Sequence, residues 1–268
     1  MSAIMTEIDL NSDLGEGFGT YTKGNDEEVM KYITTANIAC GFHAGDPCIM
    51  RKTVELAKRN GVTVGAHPGF PDLMGFGRRI MQITDDDAWS YTVYQVGALK
   101  AFVEASGLTL HHVKPHGALY SVLTRDEHLS KVICEAILEI DPDLLVYFPA
   151  PLSQAFPRIA KEMGLRVIGE VNADTDYTPD GAVVVQRKMH APDVEAVRKR
   201  IRKFITEGTV TAINGEDIRM DAESICAHGD TPNAVDVLKA IRDELTKANI
   251  SITPARKPSS QAKPKSTG

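Results

Sequence analysis

Acids, histidines and one lysine recur in this chain at one place in a repeating pattern, where a short apolar run gives way to turn residues. The run from Ile8 stops at Asp13 and breaks into Gly15, Glu16, Gly17 and Gly19, and Ala36–Ala39 leads to Cys40-Gly41-Phe42-His43. Val62–Ala66 ends in His67, Leu110–Val113 in Lys114 and His116, Arg166–Gly169 in Glu170 with Asp174 beyond, and Ser224–Ala227 in His228 and Asp230. Carboxylates and imidazoles so placed can move protons, and Lys114, beside the rigid Pro115, can offer a point charge to a carboxylate or phosphate oxygen. Packing alone does not predict polar groups at the same end of each run, because burying one unpaired costs roughly 1–3 kcal/mol.

Asp13, His43 and His67 together form a donor set for a divalent metal that activates water. The same trio serves equally as base and orienting groups without a metal, and the residues leave both readings open. Lys114 and Glu170 can also form a plain ion pair. Alternating glycines after Asp13 let successive N–H groups turn inward around an anion, while Arg78 and Arg79 follow Gly75-Phe76-Gly77 and suit a lid that closes on an anion with a bidentate fork. Candidate substrate- or phosphate-binding residues are therefore Asn11, Gly15, Gly17, Gly77, Arg78 and Arg79. No role is assigned to His111, His112, His128 or His190.

The elements that position these groups alternate. Helices are predicted over Asn25–Thr34, Cys48–Asn60, Thr84–Ser106, Asp126–Ile140, Leu152–Met163 and Asp193–Glu207, with a last one capped by Thr231, carrying Pro232 at its first position and running to about Ala248. Asn214-Gly215 marks a small hairpin, and Tyr177–Lys188 reads as irregular. Strand and helix in alternation mean parallel strands joined by right-handed crossovers. A barrel collects functional groups at the carboxyl ends of its strands; a doubly wound open sheet is the second choice. One domain over residues 1–250 is expected, followed by a Pro/Lys/Ser-rich tail, 251–268, with too few apolar residues to fold.

The chain has 268 residues and a formal net charge of -6, which suits a small-molecule site and argues against a nucleic-acid partner. Its four cysteines, Cys40, Cys48, Cys134 and Cys226, show no metal-ligand spacing, and reduced thiols are expected. The first residues lack the pattern of a signal peptide and no apolar run is long enough to span a membrane, so a cytoplasmic protein is expected. Neither a Gly-x-x-x-x-Gly-Lys-Ser/Thr loop nor a dinucleotide fingerprint is present.

Six stretches in order carry a resemblance: Asp9-Leu10-Asn11-x-Asp13-Leu14-Gly15-Glu16, Ala36 to Pro47, Gly65-Ala66-His67-Pro68-Gly69, Gly75-Phe76-Gly77-Arg78-Arg79, His112 to Tyr120, and Cys226-x-His228-Gly229-Asp230-Thr231-Pro232. Over about residues 6 to 248 the chain resembles the LamB/YcsF family, whose best-defined members are A subunits of ATP-dependent 5-oxoprolinases. The resemblance implies a distorted (β/α)7 barrel of the glycoside hydrolase/deacetylase type. It also implies opening of 5-oxo-L-proline to L-glutamate with ATP hydrolysis, together with subunits B and C. It further implies that the glycine nest, Lys114 and Arg78 bind phosphate and carboxylate, that Asp13 and Glu16 hold Mg²⁺, and that His43, His67, His116 or His228 handle protons. The chain departs from the family at Asn172 and Thr175, where an aromatic and an arginine are usual, and at Ser12, where Cys is usual. Two alternatives stay open: a metal-dependent hydrolase or deacetylase acting without ATP, favoured by the Asp13, His43, His67 trio and the altered Asn172 to Tyr177 stretch, and a non-catalytic substrate-binding subunit.

Overall fold

The computed structural model describes residues 5–185 and 190–257. Its strands in chain order are β1 (Glu7–Leu14), β2 (Thr35–Ala39), β3 (Thr63–His67), β4 (His112–Val113), β5 (Leu145–Pro149), β6 (Arg166–Asn172), β7 (Thr209–Thr211), β8 (Asp217–Arg219), β9 (Ser224–Cys226) and β10 (Ser251–Ile252). Neighbours from β1 to β6 pair in parallel, and β9 pairs with both β6 and β1. That last pairing closes a barrel of seven strands, as the (β/α)7 expectation requires. The hairpin β7–β8 stands outside it as a separate antiparallel pair.

Helices α1 (Asp26–Val29), α2 (Pro47–Asn60), α3 (Asp85–Ala105), α4 (Gly117–Leu123), α5 (Glu127–Ile140), α6 (Ala155–Glu162), α7 (Val194–Glu207) and α8 (Ala234–Lys247) complete the chain. Their ends follow local chemistry. Asp46 caps α2 by accepting from Cys48 N and Ile49 N, ahead of Pro47 at the first position, and Thr84 with Asp87 forms a reciprocal capping box on α3.

Side chains alternate across each strand, and the alternation decides what fills the barrel. On β1, Ile8, Leu10 and Leu14 join the main apolar core with helix residues such as Val54, Leu99, Ile133 and Ile241. Asp9, Asn11 and Asp13 turn the other way, into the lumen, and bond to polar residues of the neighbouring strands across it. The main apolar core therefore lies between strands and helices, whereas the lumen, with a small apolar cluster of Leu145, Tyr147 and Ile168, is largely polar. Gly65 on β3 makes room for it: a Cβ there would sit 2.0 Å from the His112 ring.

Several boundaries differ from the sequence expectation. The helix expected over Asn25–Thr34 stops at Val29, because Thr34 is drawn back to the barrel, donating its hydroxyl to Asp9 at 2.7 Å. α8 starts after Asn233, without a side-chain cap, rather than after Thr231, whose hydroxyl donates to the His228 carbonyl and fixes the preceding turn. α4 has no counterpart in the sequence expectation; seven residues are too few to show a helical period. The first residues of the tail expected from Ser251 are built into the fold: β10 pairs with β1, and the Ala255 carbonyl accepts from His111 Nε2 at 2.8 Å. Residues 258–268 and 186–189, which hold the rest of the expected tail and part of the irregular segment, lie outside the described residues.

Candidate active site

At the carboxyl end of the barrel, Lys114 stands at the end of β4 with its side chain about 6 % exposed. Its Nζ lies 3.0 Å from Asp13 Oδ1, 3.2 Å from Glu170 Oε1, 3.3 Å from Asn11 Oδ1 and 3.1 Å from Cys226 Sγ. Burial opposes the ammonium charge, but Asp13, Cys226 and Glu170 outweigh it and hold the Lys114 pKa well above its ordinary value. Burial likewise opposes ionisation of Asp13, and His67 and Lys114 overcome it, keeping that carboxyl well below the usual range. Both partners are thus charged at neutral pH. Asn37 donates to Asp13 Oδ1 at 2.7 Å and to Asn11 at 2.8 Å, so Asn11 acts as a strut, while the nearest group to Asp13 Oδ2 is His67 Nε2 at 3.3 Å.

Beside this charge cluster sits a histidine cluster. His67 Nδ1 bonds to the Lys114 carbonyl at 2.7 Å, and its Nε2 lies 3.3 Å from Asp13 Oδ2 and 2.9 Å from His116 Nδ1. His116 Nε2 bonds to the Phe76 carbonyl at 2.9 Å. His43 stacks on His116 with centroids 3.7 Å apart, and its Nε2 is 3.6 Å from Glu16 Oε1. Burial, and then the neighbouring histidines, push His43 and His116 well below the ordinary imidazole value; burial and then the carboxylates of Asp230 and Asp13 push Glu16 well above its own. The expected metal trio is divided: His43 and His67 join Glu16 and His116, whereas Asp13 groups with Cys226 and His228.

His228 completes the rim. Asp174 accepts from its backbone N–H and pairs with its Nδ1, both at 2.8 Å. Burial would depress the imidazole, yet Asp174 raises it to about 9. Asp230 anchors cations through Oδ2, 3.0 Å from Lys23 Nζ and 3.4 Å from Arg78, while its Oδ1 is buried without a hydrogen-bond partner among the described residues. Lys23 also lies 4.0 Å over the Phe76 ring.

A cavity of ≈ 60 Å³ opens between these groups. Asp13, His67, Arg78, Lys114, His116 and His228 line it together with Tyr120, Asn172, Thr175 and the strap Val183–Val185. Glu170 lies two residues inside the end of β6, so Asn172 takes the mouth position. The strap carries no signal in the sequence, and Cys226 stands out there only as part of a family motif; Asn172 and Thr175 stand out as departures from the family pattern.

The glycines work differently from the expected anion cradle. Gly15 N donates to Asp26 at 2.9 Å and Gly19 N to Asp46 at 2.8 Å, so the protein's own carboxylates take these N–H groups. Gly17 instead gives its carbonyl to Gly45 N. Gly77 adopts a positive φ, and a Cβ on it would come within 2.6 Å of His43 Cβ and 2.8 Å of His116 Cδ2; it is there to let the loop touch the histidines. Arg79 pairs with Asp72 on the exposed side of that loop, while Arg78 alone of the two arginines reaches the cavity.

Known proteins are similar to this chain over nearly their whole length. The A subunit of 5-oxoprolinase from Thermococcus sibiricus is 54 % identical over 253 residues, covering 93 % of this chain and 98 % of its own. Its namesake from Campylobacter jejuni is 47 % identical, covering 92 % and 97 %. The crystal structure of a lactam utilization protein from Thermus thermophilus superposes with a TM-score of 0.83 at 38 % identity, over 92 % of this chain and 99 % of that one. The LamB/YcsF family model matches residues 8–260, and the chain belongs to the LamB/YcsF family.

Proposed function

We propose that this chain is the A subunit of a cytoplasmic, ATP-dependent 5-oxoprolinase that opens 5-oxo-L-proline to L-glutamate together with subunits B and C. The observation that carries the reading is the buried Asp13–Lys114–Glu170 charge cluster at the head of a small cavity, in a chain half identical to relatives bearing that name. Among the described residues no helix is long and apolar enough to cross a membrane.

The lactam is a stable amide, and phosphorylating its oxygen with ATP makes C5 an electrophile. Water then adds to C5, the ring nitrogen leaves with a proton, and a second water cleaves the acyl phosphate to glutamate and phosphate. In this scheme Arg78 clamps the substrate carboxylate, and Lys114 faces the negative charge that develops at the carbonyl oxygen. The His43–His67–His116 cluster takes the proton of the attacking water. His228, kept protonated by Asp174, gives one to the leaving nitrogen. A cavity of ≈ 60 Å³ suits a small ring rather than a whole nucleotide, so ATP reaches the lactam from outside the barrel, where subunits B and C would complete the site.

Release of phosphate and glutamate from 5-oxo-L-proline and ATP, with and without subunits B and C, tests the reading. Stoichiometric release in the complete mixture is expected. Bound 5-oxoproline with no turnover under either condition would instead favour a substrate-binding subunit.

A further inference from the structure

Backbone carbonyls fix the tautomers of His67 and His116. A carbonyl oxygen only accepts, so the ring nitrogens that meet Lys114 O and Phe76 O both carry hydrogen. In neutral rings the remaining nitrogens, His67 Nε2 and His116 Nδ1, then present lone pairs to each other across 2.9 Å. Glu16 Oε1 completes a triangle, 3.9 Å from His116 Nδ1. His43, fully buried, has neither ring nitrogen hydrogen-bonded among the described residues, and its Nε2 points into the same space.

We propose that His67 Nε2, His116 Nδ1 and Glu16 Oε1 hold one divalent transition-metal ion of the zinc class, leaving a fourth position open beneath His43. Two imidazoles and a carboxylate are a catalytic zinc donor set, and imidazole ligands select such ions over Mg²⁺. On a tetrahedral ion with bonds of about 2.0–2.1 Å the ligand atoms stand roughly 3.4 Å apart, against 2.9 and 3.9 Å for the two sides that meet at His116 Nδ1. Each histidine also has its second ring nitrogen held by a backbone carbonyl, the arrangement that orients metal ligands. The parallel stack of His43 on His116, 6° between planes, keeps the two rings from aiming at one centre. His43 is therefore placed to accept a hydrogen bond from water on the ion rather than to ligate it. A shared proton in place of an ion would relieve the facing lone pairs but leave His43 without a partner.

The inference deepens the water-activating role given to this cluster and is tested without turnover. The full chain is stripped with chelator, loaded separately with Zn²⁺, Co²⁺ and Mg²⁺, desalted, and its metal measured by mass spectrometry alongside the visible spectrum of the Co²⁺ form. One retained Zn²⁺ or Co²⁺ per chain, tetrahedral Co²⁺ bands, no retained Mg²⁺, and affinity reduced at least about 10–100-fold in Glu16→Gln and His116→Gln are expected. Asp13→Asn is expected to keep the ion. Folded wild-type protein that retains no Zn²⁺ or Co²⁺ would overturn the proposal, as would an ion lost in Asp13→Asn but kept in Glu16→Gln, which would move the site to the Asp13–Cys226–His228 group. Metal binding without lactam turnover would leave this inference standing and sink the functional reading; turnover by protein that retains no Zn²⁺ or Co²⁺ on loading would do the reverse.

Discussion

At the floor of the barrel, Asp9 has both oxygens engaged: Oδ1 accepts from the Thr34 and Thr35 hydroxyls at 2.7 and 2.6 Å, and Oδ2 from Ser224 at 2.6 Å. His112 bonds to Asn37, and His111 is closed over by the carbonyl of Ala255. At the mouth, His43, Asn172 Nδ2, Thr175 Oγ1 and Asp230 Oδ1 are buried without hydrogen-bond partners among the described residues. Similar residue types line both ends of one lumen. The floor pairs most of them with each other, although the Tyr147 hydroxyl beside His112 is also buried without a partner among the described residues; the mouth leaves more of them unsatisfied, free to bond a ligand.

Substitutions can break this contrast. The largest effect is expected for Lys114→Ala, which leaves Asp13 and Glu170 buried without their counter-charge. It should abolish glutamate formation and also cost about 3–5 kcal/mol of stability, read together by product assay and denaturant unfolding. An active variant would remove Lys114 from the chemistry. His67→Ala should lower kcat about 10²–10⁴-fold while the unfolding midpoint moves little, and a near-normal rate would place His67 with the structural histidines of the floor.

Gly65→Ala is the matching floor test. The new methyl meets the His112 ring and should cost about 1–3 kcal/mol by overpacking, with KM for 5-oxoproline unchanged in the folded fraction; a changed KM would mean that floor and mouth are coupled.

The smallest effects are in titration. His228, held at about 9 by Asp174, binds its proton more tightly folded than unfolded. It therefore adds stability below the unfolded value of about 6.5 that is lost as pH rises through 9. Burial holds His111 at about 4, with the opposite sign: its folded form disfavours the proton, so stability is lost as pH falls from about 6.5 toward 4. NMR titration of the two imidazoles reads both midpoints, and Asp174→Asn should bring His228 down while leaving His111 unmoved.

Much of the mouth was legible in the sequence because strand ends are marked by a change of composition. Apolar runs stopping in Asp13, His67, Lys114 and His228 place those groups on one rim once the strands are parallel, and Arg78 belonged there too. Asp9, Asn11 and Glu170 were harder to read. They lie within their strands, and only barrel closure shows that an inward polar residue faces other polar residues rather than the apolar core. The glycine-rich turn misled for a related reason. Its N–H groups are suited to an anion, but Asp26 and Asp46, distant in sequence, supply it from within the protein.

By itself, then, the sequence determined the alternation of strands and helices, the barrel class and the family, because hydrophobic period, caps and motif order are local properties. Tertiary structure alone decided how the polar residues divide among partners. Whether His43 meets Glu16 or Asp13, and whether a carbonyl fixes the tautomer of His116, depends on ångström-scale distances between segments that the chain brings together only when the barrel closes.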